Sequence, residues 1–395
     1  HRNRLNASGF NNYSTSNYTL ASLGVDTMTT PNGTFDGTGG TGNATKYINL
    51  SQQTVIDILA NSVNVAVAKP TASYIVDETV AANYVQLNFD QSGFRGNIGG
   101  RLVYTKNVSN YADQVSGEEG TLPTIVPQRV QNDYLKFLPS LNVAYEAGAH
   151  LIFRGSAAKV IARPRYEQLG GSVGRNDITL DASGGNPNLK PYQSTNYELS
   201  AEYYPREGTL LSLELFRREV KDYILNRQTR QTFFNELNQV NASYLVSQPI
   251  NGGDANVNGA LVSAQGEIWH GFGLQANYSY AESSTDEGLN LPYLSKHTVN
   301  VIPYYENGPF QARLSYNYRS SYFRQIGRLN AIDMVAPYSQ LDFSAGFNLT
   351  KAVTLTVNAQ NLLDSTYTQY SGSRDRPTAF YKNGRTYVAS VSFRM

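Results

Sequence analysis

"GNPNLKPYQSTNYELSAEYYP", residues 185–205, joins a stiff Asn/Pro-rich approach to an alternating pattern. Pro187 and Pro191 each lock φ at about −65° and bias the residue before them to extended backbone, so the chain enters the next segment straight. Beyond it, Tyr197, Leu199, Ala201 and Tyr203 fall on one face with polar residues between them. Period two marks a strand with unlike faces. The strand closes on paired tyrosines, Tyr203 and Tyr204, before the turn "PREG" at 205–208.

The same period recurs along the chain. In "FQARLSYNY" Phe310, Ala312, Leu314, Tyr316 and Tyr318 oppose Gln311, Arg313, Ser315 and Asn317. Val353, Leu355, Val357 and Ala359 alternate with Thr354, Thr356, Asn358 and Gln360; Val85, Leu87 and Phe89 oppose Gln86 and Asn88. The pattern predicts strands near 82–90, 95–106, 136–146, 150–160, 193–204, 209–221, 257–269, 271–282, 294–306, 310–320, 338–348, 352–362 and 385–395. Short links at 91–94, 147–149, 205–208, 269–271, 306–309 and 350–351 alternate with long ones near 107–135, 161–192, 222–256, 283–293, 321–337 and 363–384. Strands of about 9 to 12 residues match a tilted bilayer crossing and exceed the usual soluble strand of about five or six. Tyr203, Tyr204, Tyr304, Tyr305, Tyr316 and Tyr318 cluster near strand ends, as an interfacial girdle requires.

Composition agrees with this. The chain has 395 residues and 29 Tyr against one Trp and three Met, with 33 Gly. A net charge of +1 implies neither nucleic acid nor an anionic surface as partner, and the absence of cysteine excludes disulfides and thiol chemistry. No run of about 18 apolar residues is present, and "HRNRLNASGFNNYSTS" lacks the apolar core of a signal peptide. A transmembrane barrel survives both exclusions, because alternation hides its hydrophobicity. The predicted fold is all-β: a transmembrane antiparallel β-barrel, with 1–81 the end of a strand plus a long extracellular loop, and 82–395 barrel wall. Tyr387, Ala389, Val391, Phe393 and Met395 alternate to the last residue, as a closing strand does. Thirteen strands are an odd number, and a barrel must close. A preceding part is therefore expected, with this chain as the C-terminal portion of a larger barrel.

Four stretches, in order, are similar to one family. "NPNLKPYQSTNYELSAEYYP" resembles the Asn-Pro-x-Leu-Lys-Pro segment and Tyr-Glu-Leu strand of TonB-dependent outer-membrane transporters. "FLPSLNVAYE" (137–146) with "AAKVIARPRYEQL" (157–169) resembles their mid-barrel strand and Ala-Lys-x-x-x-Arg-Pro motif. "LPYLSKHTVNVIPYYENGPFQARLSYNYRSSY" (291–322) resembles their Ser-Lys-His hairpin, and 358–395, from "NAQNLLD" to "GRTYVASVSFRM", their C-terminal signature. The details look most like the Caulobacter/Xanthomonas-type subgroup, often associated with carbohydrate uptake. The resemblance implies a 22-stranded barrel with an N-terminal plug, energised through the TonB complex and working without a cofactor. Residues 82–90 would be its tenth strand and "HRNR" the tail of its ninth. Implied partners are the plug and first strands of the same protein, the TonB complex, outer-membrane lipid and lipopolysaccharide, and a small-molecule or oligosaccharide substrate. The long first loop suits a surface lipoprotein.

The chemistry-bearing residues point to binding. His1, His150, His270 and His297 show no metal spacing, and no Ser/His/Asp set converges on one face, so no catalytic residue is expected. Candidate ligand residues are Arg163, Arg165 and Tyr166 in "RPRYEQ", Arg319, Tyr322, Arg324 and Arg328 around "YFRQIGR", and Tyr370, Arg374, Asp375 and Arg376 in "YSGSRDRP". Aromatic faces beside Arg and Asp suit a sugar, and Arg also suits a carboxylate or phosphate. The bland alternative is that these groups solubilise loops, pair with plug carboxylates or bind lipopolysaccharide. Oligosaccharide is the first substrate class expected and a siderophore or other metal chelate the second. A passive porin and an outer-membrane hydrolase are the competing functions.

Overall fold

The computed structural model describes residues 2–6, 9–14, 26–29, 46–49, 63–68, 70–115, 124–286, 288–327 and 330–394, with four isolated positions between 53 and 60. Fourteen strands form one antiparallel sheet in simple meander order. They are β1 (Arg2–Asn6), β2 (Tyr74–Gln91), β3 (Phe94–Val115), β4 (Thr124–Glu146), β5 (Leu151–Ala162), β6 (Tyr192–Tyr203) and β7 (Leu210–Lys221). β8 (Ala255–Trp269), β9 (Phe272–Thr285), β10 (His297–Asn307), β11 (Phe310–Arg319), β12 (Tyr338–Asn348), β13 (Val353–Gln360) and β14 (Thr386–Phe393) complete it. Each of the thirteen predicted strands has a counterpart in β2–β14. No described helix is long and apolar enough to cross a membrane.

The register sorts side chains by face. Glu202, Ser212, Ser263, Asn277, Asn300, Asn317 and Gln340 are cross-strand partners in one continuous row over β6–β12. One residue along, the row reads Tyr203, Leu211, Ala264, Ala276, Val301, Tyr316 and Leu341. Because side chains alternate across a strand, the first row faces one side of the wall and the second the other. The polar row bonds laterally, as Asn300 Nδ2 donates to Asn277 Oδ1 at 2.7 Å. The apolar face stays uncovered, with Leu199 65% and Leu215 52% exposed. So extended an apolar surface requires an apolar solvent.

Aromatic rings gather on the short-turn end. Trp269, Phe272, Tyr305 and Phe310 form a chain with centroid spacings of 6.2, 4.5 and 5.9 Å, and Phe94 stacks on Tyr145 at 4.5 Å. Two of the expected girdle tyrosines turn to the polar face instead. Tyr304 covers Gly273, its cross-strand partner, where the missing Cβ leaves room for the ring. The Tyr204 hydroxyl donates to Glu202 Oε2 at 2.8 Å.

The long links depart most from expectation. The strand expected over 82–90 opens at Tyr74, and β3 and β4 keep pairing through Val115 and Thr124, into the predicted 107–135 loop. Val108, Val126 and Val130 supply strand propensity that the polar neighbours mask, and continuous backbone pairing overrides their polarity. Residues 173–176, 181–184, 240–251 and 224–235 form a four-stranded sheet above the wall, and 322–326, 332–335, 367–371 and 377–381 form a second. The first has its own core of Ala182, Tyr244 and Val246, with Tyr244 and Val246 fully buried. Met395 lies outside the described residues, as does most of 1–62.

Candidate functional site

One long link folds back onto the wall. Residues 163–191, the strap, contain the single-turn helix α1 (Tyr166–Leu169) and end in the stretch quoted above. Leu169 and Leu189 pack on Val76 of β2, all three essentially inaccessible to water. Val76 and Glu78 lie on the polar face of β2, in the face set of Val103 and Thr105. Glu78, only 4% exposed, is ion-paired with Arg163 Nε at 3.3 Å and accepts from the Tyr166 hydroxyl at 3.3 Å. Asn132 Nδ2 donates to Leu189 O at 2.8 Å, and Asn251 bonds both the backbone N–H and the carbonyl of Lys190 at 3.0 Å. Gly185 sits against the carbonyls of Gly170, Gln168 and Glu167, so close that no side chain fits. The "GNPNLKP" approach is therefore a fixed bracket.

Two outer sheets meet edge to edge. Ile224, Leu225 and Asn226 of one edge face Phe323, Arg324 and Gln325 of the other across a cavity of about 400 Å³. Tyr192, Tyr223, Tyr293 and Phe323 give it an aromatic lining, and Arg165 and Arg324 enter it from opposite sides. Arg165 holds only Glu167, at 3.1 Å, with both side chains well exposed; such pairs contribute little. Arg324 has no hydrogen-bonding or ionic partner among the described residues. Tyr293 stands at φ +63°, the left-handed region that bulky residues avoid. Its N–H donates to Phe323 O at 2.8 Å, and its ring stays 66% exposed at the cavity rim. Two guanidiniums among rings, with no buried carboxylate between them, present bidentate donors to an anion and flat faces to a planar group.

The other sequence candidates separate from this cavity. Arg163, still 34% exposed, and Tyr166 both turn to Glu78. Arg319 lies on the polar face of β11 with its guanidinium 5.2, 5.7 and 5.5 Å from the rings of Tyr322, Tyr338 and Tyr367. The hydroxyls of Tyr322 and Tyr367 are 3.3 Å apart, and burial, then that bond, pushes the Tyr322 hydroxyl up to about 12. This box stiffens the second sheet and reaches the cavity wall through Tyr293, 6.1 Å from Tyr322. Tyr370 is buried in the second sheet, and Arg374, Asp375 and Arg376 occupy its exposed 371–377 turn. Arg328 lies outside the described residues.

Sequence reasoning missed Glu78, Tyr192, Tyr223, Tyr293 and Phe323. Glu78 and Tyr223 have no motif around them, while Tyr192, Tyr293 and Phe323 lie in or beside motif stretches that give no sign of facing one cavity. The histidines bond locally, His150 Nδ1 with Tyr204 O at 2.9 Å and His297 Nδ1 with the Tyr278 hydroxyl at 2.8 Å. Among the described residues no cluster of three or more His, Asp or Glu side chains could hold a metal.

Comparison with known proteins bears on this arrangement. Residues 1–362 match the family model described as TonB dependent receptor-like, beta-barrel. The iron-regulated outer membrane virulence protein of Vibrio cholerae is 27% identical over 202 residues, 48% of this chain and 30% of that protein. The ferric-catecholate import receptor Fiu of E. coli K12 superposes with a TM-score of 0.61 at 16% identity, covering 82% of this chain and 46% of that one. The copper transporter OprC gives 0.59 at 16%, covering 89% and 51%, and the ferric yersiniabactin uptake receptor FyuA of Yersinia pestis 0.54 at 18%, covering 81% and 44%. At these identities the structures speak to fold alone. The chain spans about half the length of those structures and 30% of the Vibrio protein.

Proposed function

Since the chain belongs to the TonB-dependent receptor β-barrel family, a family of outer-membrane receptors, we propose that it supplies wall and outer loops to a receptor for an anionic metal chelate. The polar face of the wall lines the lumen and the apolar face meets lipid. The observation that carries the reading is the pair Arg165 and Arg324, facing each other in an aromatic cavity without a buried counter-charge. A neutral oligosaccharide, the first class expected from the sequence, would leave those two charges unmet. An anionic siderophore or other chelate meets them, and its planar groups stack on the exposed rings of Tyr192 and Tyr293. This reverses the order of the two substrate classes. Support comes also from the names of the similar structures, a ferric-catecholate import receptor, a ferric yersiniabactin uptake receptor and a copper transporter.

The family is one of transporters and not of enzymes, which sets the hydrolase reading aside. A passive porin has no need of the Arg165–Arg324 cavity. We read 82–395, with β2 opening earlier at Tyr74, as the C-terminal portion of a 22-stranded wall. Residues 1–81 then precede it as the end of a strand and a long outer loop. A plug filling the lumen, the TonB complex as energy source, lipopolysaccharide around the outer rim and a lipoprotein on the first loop complete the proposal. Assignment to the Caulobacter/Xanthomonas-type subgroup rests on the four motifs quoted above. The test is uptake of radiolabelled iron as ferric catecholate by cells expressing the full-length receptor. Uptake that depends on TonB and falls in Arg324→Gln supports the proposal; equal uptake without TonB, or uptake of maltodextrin in its place, overturns it.

A further inference from the structure

Resting on that uptake reading, we propose that Arg324, Arg165, Arg163 and Arg101 form a descending series of guanidinium groups that passes an anionic ligand from the outer cavity into the lumen. The cavities are linked by shared residues. Arg165 lines both the outer cavity of about 400 Å³ and a deeper one of about 740 Å³, which Arg163 and Arg101 also line. Arg101 in turn lines a third, of about 480 Å³, that reaches toward Val85, Gly99 and Ser140.

The register supplies the depth. Ser140 pairs with Gly99 on one side and Ala158 on the other, so these three lie level. Arg101 stands two residues above that level and Arg163 five. Three residues at a strand rise of about 3.3 Å place Arg163 roughly 10 Å farther out than Arg101.

Each step is available to a ligand. Arg101 faces the lumen with no partner among the described residues. Arg163 shares the Glu78 carboxylate with the Tyr166 hydroxyl, and Arg165 holds only the exposed Glu167. Successive weak sites let a ligand contact the next group before it leaves the last, the arrangement that conduction needs. Below the series the sign reverses. A cavity of about 780 Å³ near the short turns is lined by Asp90, Glu198, Glu202 and Glu214 against two arginines, Arg154 paired to Glu202 at 2.8 Å and Arg95 paired to Glu146 at 3.0 Å, which leaves an excess of carboxylates. An anion is attracted down as far as Arg101 and repelled beyond it, so release toward the short-turn end must coincide with movement of whatever occupies that acidic space.

The experiment uses the full-length receptor in cells, with ferric catecholate as the anionic probe and ferric acetohydroxamate as the neutral one. Arg324→Gln is expected to weaken equilibrium binding of the anionic probe about tenfold, as loss of a charge-assisted contact does. Arg101→Gln is expected to leave that binding within about twofold and to slow uptake of the anionic probe about fivefold or more, with Arg101→Lys restoring the rate. Uptake of the neutral probe is expected to be insensitive to Arg101. Unchanged anionic uptake in Arg101→Gln overturns the series while leaving the uptake reading intact. An equal loss for both probes also overturns it and marks Arg101 as a docking residue for the plug. If the unmodified receptor imports neither iron complex, the uptake reading itself falls, and the series with it.

Discussion

Glu78 is where the strap is fastened, and Glu78→Ala tests how firmly. The carboxylate is 4% exposed and holds both Arg163 and Tyr166 at 3.3 Å. Removing one partner of a fully buried pair costs about 3–5 kcal/mol. Arg163 remains 34% exposed and its contact is long, so about half of the lower figure, ~1.5 kcal/mol, is a fair share here. The orphaned Tyr166 hydroxyl adds about 0.5 kcal/mol, since water reaches it once the strap lifts. The total of about 2 kcal/mol corresponds to roughly 30-fold more frequent opening of the strap. Hydrogen exchange in the full-length receptor reads this at the Gly170, Asn186 and Leu189 amides, which bond within the strap to Tyr166 O, Gln168 O and Asn186 O. Amides of the β11–β12 pair, which lie in the wall far from the strap, should change less than about threefold. Strap exchange within about threefold of the unmodified protein would refute the reasoning and leave the attachment to the Val76, Leu169 and Leu189 cluster with the Asn132 and Asn251 bonds. Equal acceleration in strap and wall would show that the substitution loosens the fold as a whole, which also refutes it.

Three further outcomes follow from the same geometry. Gly185→Ala should detach the strap more completely than Glu78→Ala, because its Cβ would meet three backbone carbonyls that cannot give way; trypsin cleavage after Arg165 reads it. Leu199→Lys, on the apolar face of β6, should cost about 2–4 kcal/mol in a bilayer, whereas Ser200→Lys, on the polar face, should cost under about 1 kcal/mol; urea unfolding in vesicles separates the two. The Tyr244 hydroxyl donates to Asp177 Oδ1 at 2.7 Å, and burial first and then that bond push it up to about 12. A raised value means the folded sheet favours the neutral phenol, so its contribution is fully present below about pH 10 and is lost as pH rises through about 12. Proteolysis of the 224–251 hairpin should accelerate across that window in the unmodified protein, and Tyr244→Phe should flatten the dependence while weakening the hairpin by about 1.5–3 kcal/mol at neutral pH.

The wall was legible because lipid on one side and polar surroundings on the other impose period two on every strand, as in 310–318 and 353–360. Strand ends were less so. The polar run from Asn107 to Gln114 looks like loop, yet it pairs residue by residue with 128–132 and their neighbours, a non-local decision that composition does not carry. Tyr304 reads as a girdle residue by position, and only its pairing with Gly273 reveals that it fills the polar side. The site shows the same limit. "RPRYEQ" reads as one stretch in the sequence, but its residues part company: Arg163 and Tyr166 turn to Glu78, while Arg165 lines the cavity that Arg324 lines from a remote loop. Sequence adjacency groups residues by chain, whereas a cavity between two sheets groups them by tertiary packing.

The central claim is that an anionic metal chelate binds between Arg165 and Arg324, at the seam of the two outer sheets. Crystals of the full-length receptor soaked with ferric catecholate test it through the anomalous signal of iron. The account predicts one iron peak in the seam, flanked by both guanidiniums and by the Tyr293 ring, and its loss in Arg324→Gln. An iron peak held elsewhere with the seam empty, or one that persists unchanged in Arg324→Gln, would contradict it.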